Sequence, residues 1–280
     1  MEKLTNRIKR QFFRLRLLCH SIIHGARLHG PFRSGAAAVP DPRDPSTGPL
    51  LPPLVRALRT HYVRQFNEAS CSVATMATVL NALRAHLCTD SRKDPLTQQE
   101  ILDQIRVANW RERVGKSGHN GRRGLPIRLL GNVTEQCLLQ YGIPFSEMDV
   151  VPLDPPSLNR RDLKLKLVER LSEFEKHGHP LILAHFNQGV FVPTIHLPHI
   201  SPVGAFDSKR NRVLILDVDP DQPHPYWVSV DRFYLAMTWG YSGLFETYGY
   251  RGGGYVWIRL NSRSLLNENV TTDRAESLEN

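Results

Sequence analysis

The chain is 280 residues long and 41% hydrophobic, enough to bury one substantial core with tails to spare. Its net charge of +9 would point to an anionic partner, but residues 1–60 hold eleven basic residues, from Lys3 to Arg59, against Glu2, Asp41 and Asp44. That segment carries +8 of the +9, so the near-neutral remainder gives no charge argument for nucleic-acid binding.

From Asn6 to His24 the spacing predicts an amphipathic helix, with Ile8, Phe12, Leu15, Cys19 and Ile22 on one face and Arg10 and Arg14 away from it. Such a basic helix can lie on an anionic membrane surface, dock on a partner or pack on its own core, and the sequence leaves these open. Arginines interrupt the apolar run, against both a signal peptide and a membrane span. Scarce serine and Glu2 count against a transit peptide. Pro40 to Pro53 contains six prolines without periodicity and reads as a linker.

Gln65-Phe66-Asn67-Glu68-Ala69-Ser70-Cys71 then leads into a helix with Val73, Met76, Leu80 and Leu83 at helical spacing. A cysteine at a helix N-terminus sits among unpaired N–H groups at the positive end of the dipole, which favours the thiolate. Gln65 is spaced to offer an amide to an oxyanion formed when that sulfur attacks an acyl carbonyl. Thr97 to Glu100 is a capping box ahead of Ile101, Leu102 and Ile105. Pro126–Tyr141 and Arg161–His177 read as helices, stopped by Gly142 and Gly178. Their inward residues are Leu130, Val133 and Cys137 in the first, and Leu163, Leu167, Leu171 and Phe174 in the second.

Strands follow at Leu181–Ala184, in a hairpin and at Tyr255–Ile258. The hairpin runs from His199–Phe206 through Asp207–Asn211 to Arg212–Val218. The even offset from His199 to Asp217 puts both side chains on one face of a regular hairpin. There an imidazole can move a proton while a carboxylate holds its orientation. Pro202 predicts a bulged or edge strand. Helices followed by mostly antiparallel strands make the α+β order.

Other candidate sites are weaker. Cys19, Cys71, Cys88 and Cys137 form no CxxC pair and no disulfide framework, which fits a reducing, cytoplasmic compartment. His185, His196 and His199 are conceivable metal ligands, although strand histidines more often serve other roles. Gly252-Gly253-Gly254 lacks the lysine of a phosphate cradle and reads as a loop.

Gln65 through Cys71, Val79–Leu83, His199–Gly204, Leu214–Val218 and Pro225–Val228 together resemble the catalytic domain of phytochelatin synthases, and Gly254–Ile258 resembles its last core strand. The resemblance covers roughly residues 48 to 262. It implies a papain-like cysteine protease fold with Cys71, His199 and Asp217 catalytic and Gln65 at the oxyanion. It also implies cleavage of the Cys–Gly amide of glutathione through a γ-glutamylcysteinyl thioester on Cys71. No cofactor is needed for acylation; a heavy metal such as cadmium or zinc would enter as a glutathione thiolate complex, since soft cations prefer sulfur. The chain then divides into a basic N-terminal segment and linker (1–45), a catalytic domain (46–262) and a polar tail (263–280).

Ser72 stands where the family usually has glycine. Pro220, between Asp219 and Asp221, stands where plant-type members carry a basic residue associated with the second substrate. In length the chain resembles short bacterial relatives, so water is the expected acceptor. Two other readings remain. One is a papain-like peptidase of the bacteriocin-leader-processing type, which usually has proline directly after its aspartate, unlike Asp217-Val218. The other is a non-enzymatic binding module on the same fold.

Overall fold

The computed structural model describes residues 52–87, 94–153, 160–192, 197–222, 224–239 and 250–261, together with Phe12, Leu15 and Ala37–Ala38. Among the described residues the helices are α1 (Pro53–Thr60), α2 (Cys71–Leu87), α3 (Gln98–Gln104), α4 (Trp110–Val114), α5 (Ile127–Gln140), α6 (Arg160–His177) and α7 (Val230–Thr238). The strands are β1 (Ala37–Ala38), β2 (Phe145–Pro152), β3 (Leu181–Asn187), β4 (Pro198–Asp207), β5 (Arg212–Ile215), β6 (Tyr226–Ser229) and β7 (Gly254–Leu260). They form one antiparallel sheet in the order β1-β6-β5-β4-β3-β7-β2. Most helices precede most strands, as the α+β order requires.

Helix α2 is the hub. Residues 71–83 are all buried, as expected of a helix that is apolar or small on every side. It packs between α1 and β4, while α6 and α7 cover β4 and β3 and α5 covers β2 and β7. Burying one Val, Leu or Phe side chain contributes roughly 1.5–3 kcal/mol, so Val73, Met76, Leu80 and Leu83 with Phe174 and Phe186 anchor the core. The capping box forms as expected, with Thr97 Oγ1 accepting from the Glu100 N–H and Glu100 Oε2 from the Thr97 N–H. Helices α5 and α6 fall within a residue of their expected bounds, and Gly178, at φ 71°, ends α6. Leu163 is only half-buried.

Three expectations change, and the bulge expected in the strand carrying Pro202 is present. The linker stops at Pro52, because Pro53 opens α1 and Leu54, Val55 and Leu58 enter the core. An edge strand, β2, appears where polar Ser146, Glu147 and Asp149 hide any alternation. Its charges are used: Asp149 pairs with Arg170 and Lys166 of α6, and Glu147 with Arg259 of β7. The strand carrying Pro202 is central, not at an edge, and its bulge lies at Gly204. The returning strand β5 ends at Ile215, before Asp217.

The hairpin keeps His199 and Asp217 on one face by two departures that cancel. Asp207 still pairs with Arg212, so the turn has one residue fewer than expected, and that register alone would put the two side chains on opposite faces. The extra residue Gly204 shifts the pairing to Val203 with Ile215 and restores them to one face. Glycine is required there, since a Cβ would meet Leu216 Cγ and Cδ2 at 2.6 Å. The ladder continues with Leu216 N–H to Pro202 O at 3.1 Å, then opens as Ser201 Oγ takes the Val218 N–H at 3.2 Å.

Among the described residues no helix is long and apolar enough to cross a membrane. Of the expected Asn6–His24 helix, Phe12 and Leu15 are described, both helical and exposed; the remainder lies outside the described residues, as do Cys19, Cys88, His196 and residues 263–280.

The bulge generates a prediction. Gly204→Ala should cost about 1–3 kcal/mol in chemical denaturation through overpacking on Leu216. Adding Leu216→Ala should recover part of that loss. Equal stability of Gly204→Ala and wild type would show that the strand absorbs a Cβ without shifting.

Candidate active site

Cys71 is the first residue of α2, and the turn before it is fixed by its own side chains. Ser70 Oγ accepts from the Phe66 and Asn67 N–H groups at 3.0 and 2.9 Å, and Asn67 Oδ1 accepts from Ala69 N–H at 2.8 Å. Asn67 Nδ2 donates to Val114 O at 3.1 Å, and Arg123 pairs with Glu68 at 2.9 Å. Ser72 has a specific partner: its Oγ accepts the indole N–H of buried Trp110 at 2.8 Å. Thr75 Oγ1 donates to Ile200 O at 3.1 Å, docking the first turns of α2 on β4 beside His199.

The Cys71 thiol is buried at the end of α2 that Thr75 docks beside Ile200, the residue after His199 on β4. Burial pushes the thiol up to about 11. Desolvation therefore opposes the thiolate that the helix terminus favours, and a base that takes the proton offsets that cost.

His199 Nε2 lies 2.7 Å from Asp217 Oδ1, and both residues are buried. The ring N–H is not aligned with that oxygen, so the pair is a close contact rather than a formed hydrogen bond. The Phe186 ring meets the imidazole edge-on at 5.5 Å between centroids. With Nε2 facing the carboxylate, Nδ1 is the ring nitrogen left to exchange a proton.

Asp217 has no exposed surface. Oδ1 also accepts the Asp219 N–H at 3.0 Å, and Oδ2 accepts Gln188 Nε2–H at 3.1 Å and the Tyr226 hydroxyl. Burial alone would push the carboxyl up. The nearby His199, with hydrogen bonds from Tyr226 and the Asp219 N–H, holds it below the usual range instead. A carboxylate held low contributes stability that is present above its unfolded value and is lost as pH falls. Burial and the Asp217 charge push Tyr226 far up, so it remains a neutral donor.

Gln65 is tied to the same place by backbone: its N–H donates to Val218 O at 2.8 Å. Tyr62 donates its hydroxyl to Asp217 O, and Arg64 Nη1 donates to Asp219 O at 2.6 Å and to Gln222 O. Gln65 Oε1 is buried without a partner among the described residues. Tyr62, Arg64, Gln188 and Tyr226 were not singled out from the sequence as site residues; Tyr226 lies within a recognised motif, but the others carry no local signal.

The charge around Pro220 also needs correcting. Asp219 is engaged, accepting from Gln188 Nε2 at 2.9 Å and from the Asp221 N–H at 3.0 Å, and the Arg64 guanidinium lies under the loop. Of the two flanking carboxylates, Asp221 is the exposed one. As for a metal, no group of three His, Cys, Asp or Glu among the described residues is arranged to hold one. Gly252 and Gly253 form a loop running into β7, which Gly254 opens, with the Gly253 N–H bonded to Met237 O at 2.9 Å.

Residues 162–242 match the family model described as phytochelatin synthase, which supports membership of that family. It is a family of γ-glutamylcysteinyltransferase enzymes acting on glutathione. The matched segment contains His199, Asp217, Gln188 and Tyr226; Cys71 and Gln65 lie outside it. No curated protein matches the chain.

A thiol raised by burial makes a testable pH profile. The rate of Cys71 alkylation by iodoacetamide in the free protein should keep climbing with pH toward about 11. A plateau already reached below roughly pH 8, under the ordinary thiol value of ~8.5, would mean that a nearby cation overrides burial.

Proposed function

We propose that this phytochelatin synthase family member cleaves the Cys–Gly amide of glutathione with Cys71 as nucleophile, His199 as proton carrier and Asp217 as its orienting carboxylate. The observation that carries this reading is the buried His199–Asp217 pair, inside the matched segment, beside the strand on which Thr75 docks the helix that Cys71 opens. A papain-like arrangement of nucleophile, base and carboxylate is part of the proposal.

As Sγ attacks the cysteinyl carbonyl of glutathione, its proton passes to His199 Nδ1 and an S–C bond forms. The resulting oxyanion takes hydrogen bonds from the Gln65 amide and an unpaired N–H at the start of α2, the type of donor that lowers such barriers most. The C–N bond then breaks and the glycine amine takes the proton from His199. A γ-glutamylcysteinyl thioester remains on Cys71. Water, deprotonated by His199, attacks it to release γ-glutamylcysteine; the amine of a second glutathione would give a longer chain instead. A soft metal would arrive bound to glutathione thiolates, as part of the substrate.

Hydrolysis is favoured over transfer because an anionic acceptor must be held while water needs no pocket. Pro220 offers the acceptor no charge, and exposed Asp221 opposes it by a few tenths to about 1 kcal/mol. Losing one charge-assisted hydrogen bond costs roughly 1.5–3 kcal/mol more.

Incubation with glutathione, read by mass spectrometry, tests this directly. Cys71→Ala should abolish glycine release without unfolding the protein, and retained release would end the scheme. Asp217→Asn should lower kcat by roughly 10²–10⁴-fold, because both reacting groups stay but their orientation is lost.

The same assay reads the acceptor. γ-Glutamylcysteine and glycine should dominate, with chains of two or more repeats minor even with cadmium present. Early dominance of such chains would show that the loop around Pro220 holds a second glutathione despite its charge.

A further inference from the structure

Asp217 is held by more than its histidine, and one of its partners serves no other visible purpose. Gln188 is the first residue of the short 3-10 turn Gln188–Val190 that follows β3, and its side chain is buried. Its Nε2 donates to Asp217 Oδ2 at 3.1 Å and to Asp219 Oδ2 at 2.9 Å. An amide nitrogen has two hydrogens, so both are spent on carboxylates. The reverse orientation would aim Oε1 at two carboxylate oxygens, which fixes the amide as it stands.

The neighbouring residues hold this turn. Asn187 Oδ1 accepts the Gly189 N–H at 3.1 Å, and the Gln188 N–H donates to Leu197 O at 3.1 Å. One position before Asn187, Phe186 packs against the His199 ring. The end of β3 therefore touches both members of the pair, with an aromatic ring on the imidazole and an amide on the carboxylate. A carboxylate has about four good acceptor positions. The Asp219 N–H, Tyr226 and Gln188 take three of them, and His199 Nε2 lies 2.7 Å from Oδ1.

We infer that Gln188 is a positioning residue of this site: by occupying Asp217 Oδ2 and tethering it to Asp219, it turns Oδ1 toward His199 and so fixes which imidazole nitrogen carries the proton. It touches neither the thiol nor a substrate carbonyl. This inference rests on the function proposed above only for its kinetic consequence; the tautomer it sets exists without any substrate.

Two variants test it. Gln188→Met keeps the length and removes both donors, and Gln188→Glu keeps the shape and sets a third carboxylate against two. Nitrogen-15 NMR of the histidine rings, with His199 assigned by its absence in His199→Gln, reads the tautomer directly. Wild type should show the proton on Nε2, and both variants should drift toward a mixture. With glutathione, kcat should fall roughly ten- to a hundredfold, the factor one charge-assisted hydrogen bond supplies, while KM stays within about twofold. If Gln188→Met does not fold, Gln188→Glu carries the same test. An unchanged Nε2–H tautomer in the folded variants overturns the inference, as does a rise in KM with kcat preserved. Absence of glycine release by wild type would strike the proposed function instead, while the tautomer measurement would still decide the role of Gln188.

Discussion

A single ionised carboxylate buried away from water constrains much of this structure. An uncompensated charge at Asp217 would cost several kcal/mol, so the fold has to deliver donors to it from separate stretches of chain. His199 comes from β4, Gln188 from the end of β3, Tyr226 from β6 and the Asp219 N–H from the following loop. Even its carbonyl is used, by the Tyr62 hydroxyl from the segment before α2. Few alternative packings satisfy all of these together, so the loop that carries Asp217 is held in one place against β4.

The same constraint links the parts of the site. Tyr62, Arg64 and Gln65 are strapped to residues 217–222, so the proposed oxyanion donor moves with the carboxylate. Thr75 is bonded to Ile200, so the helix start that carries the nucleophile moves with the base. Rigid support of this kind matters because a displacement of about 1 Å between reacting groups can cost two orders of magnitude in rate. Burial has an opposite consequence at the sulfur, where it pushes the thiol up and so opposes the thiolate.

Much of this was legible in the sequence where local chemistry decides structure. The helical spacing of Val73, Met76, Leu80 and Leu83, the Thr97–Glu100 box and the stop at Gly178 all read correctly, because each depends on residues within a few positions. The shared face of His199 and Asp217 came out as expected but for a different reason, since the turn is shorter and the Gly204 bulge compensates. A bulge is set by what packs opposite it, here Leu216, and that information is twelve residues away. At Cys71 the helix terminus is visible in sequence, whereas the desolvation that opposes the thiolate is not. Gln188 and Arg64 were invisible because their partners lie 29 or more residues away and neither sits in a patterned stretch.

The family match covers the base and the carboxylate but not the nucleophile, so the central claim is that Cys71 forms the covalent bond that this pair serves. The most direct measurement is mass spectrometry of protein mixed briefly with glutathione, quenched in acid and digested. The account predicts a γ-glutamylcysteinyl mass on the peptide containing Cys71, removed by hydroxylamine as a thioester must be. An adduct confined to the peptide containing Cys137, or glycine release with no acylated intermediate at any quench time, would contradict it.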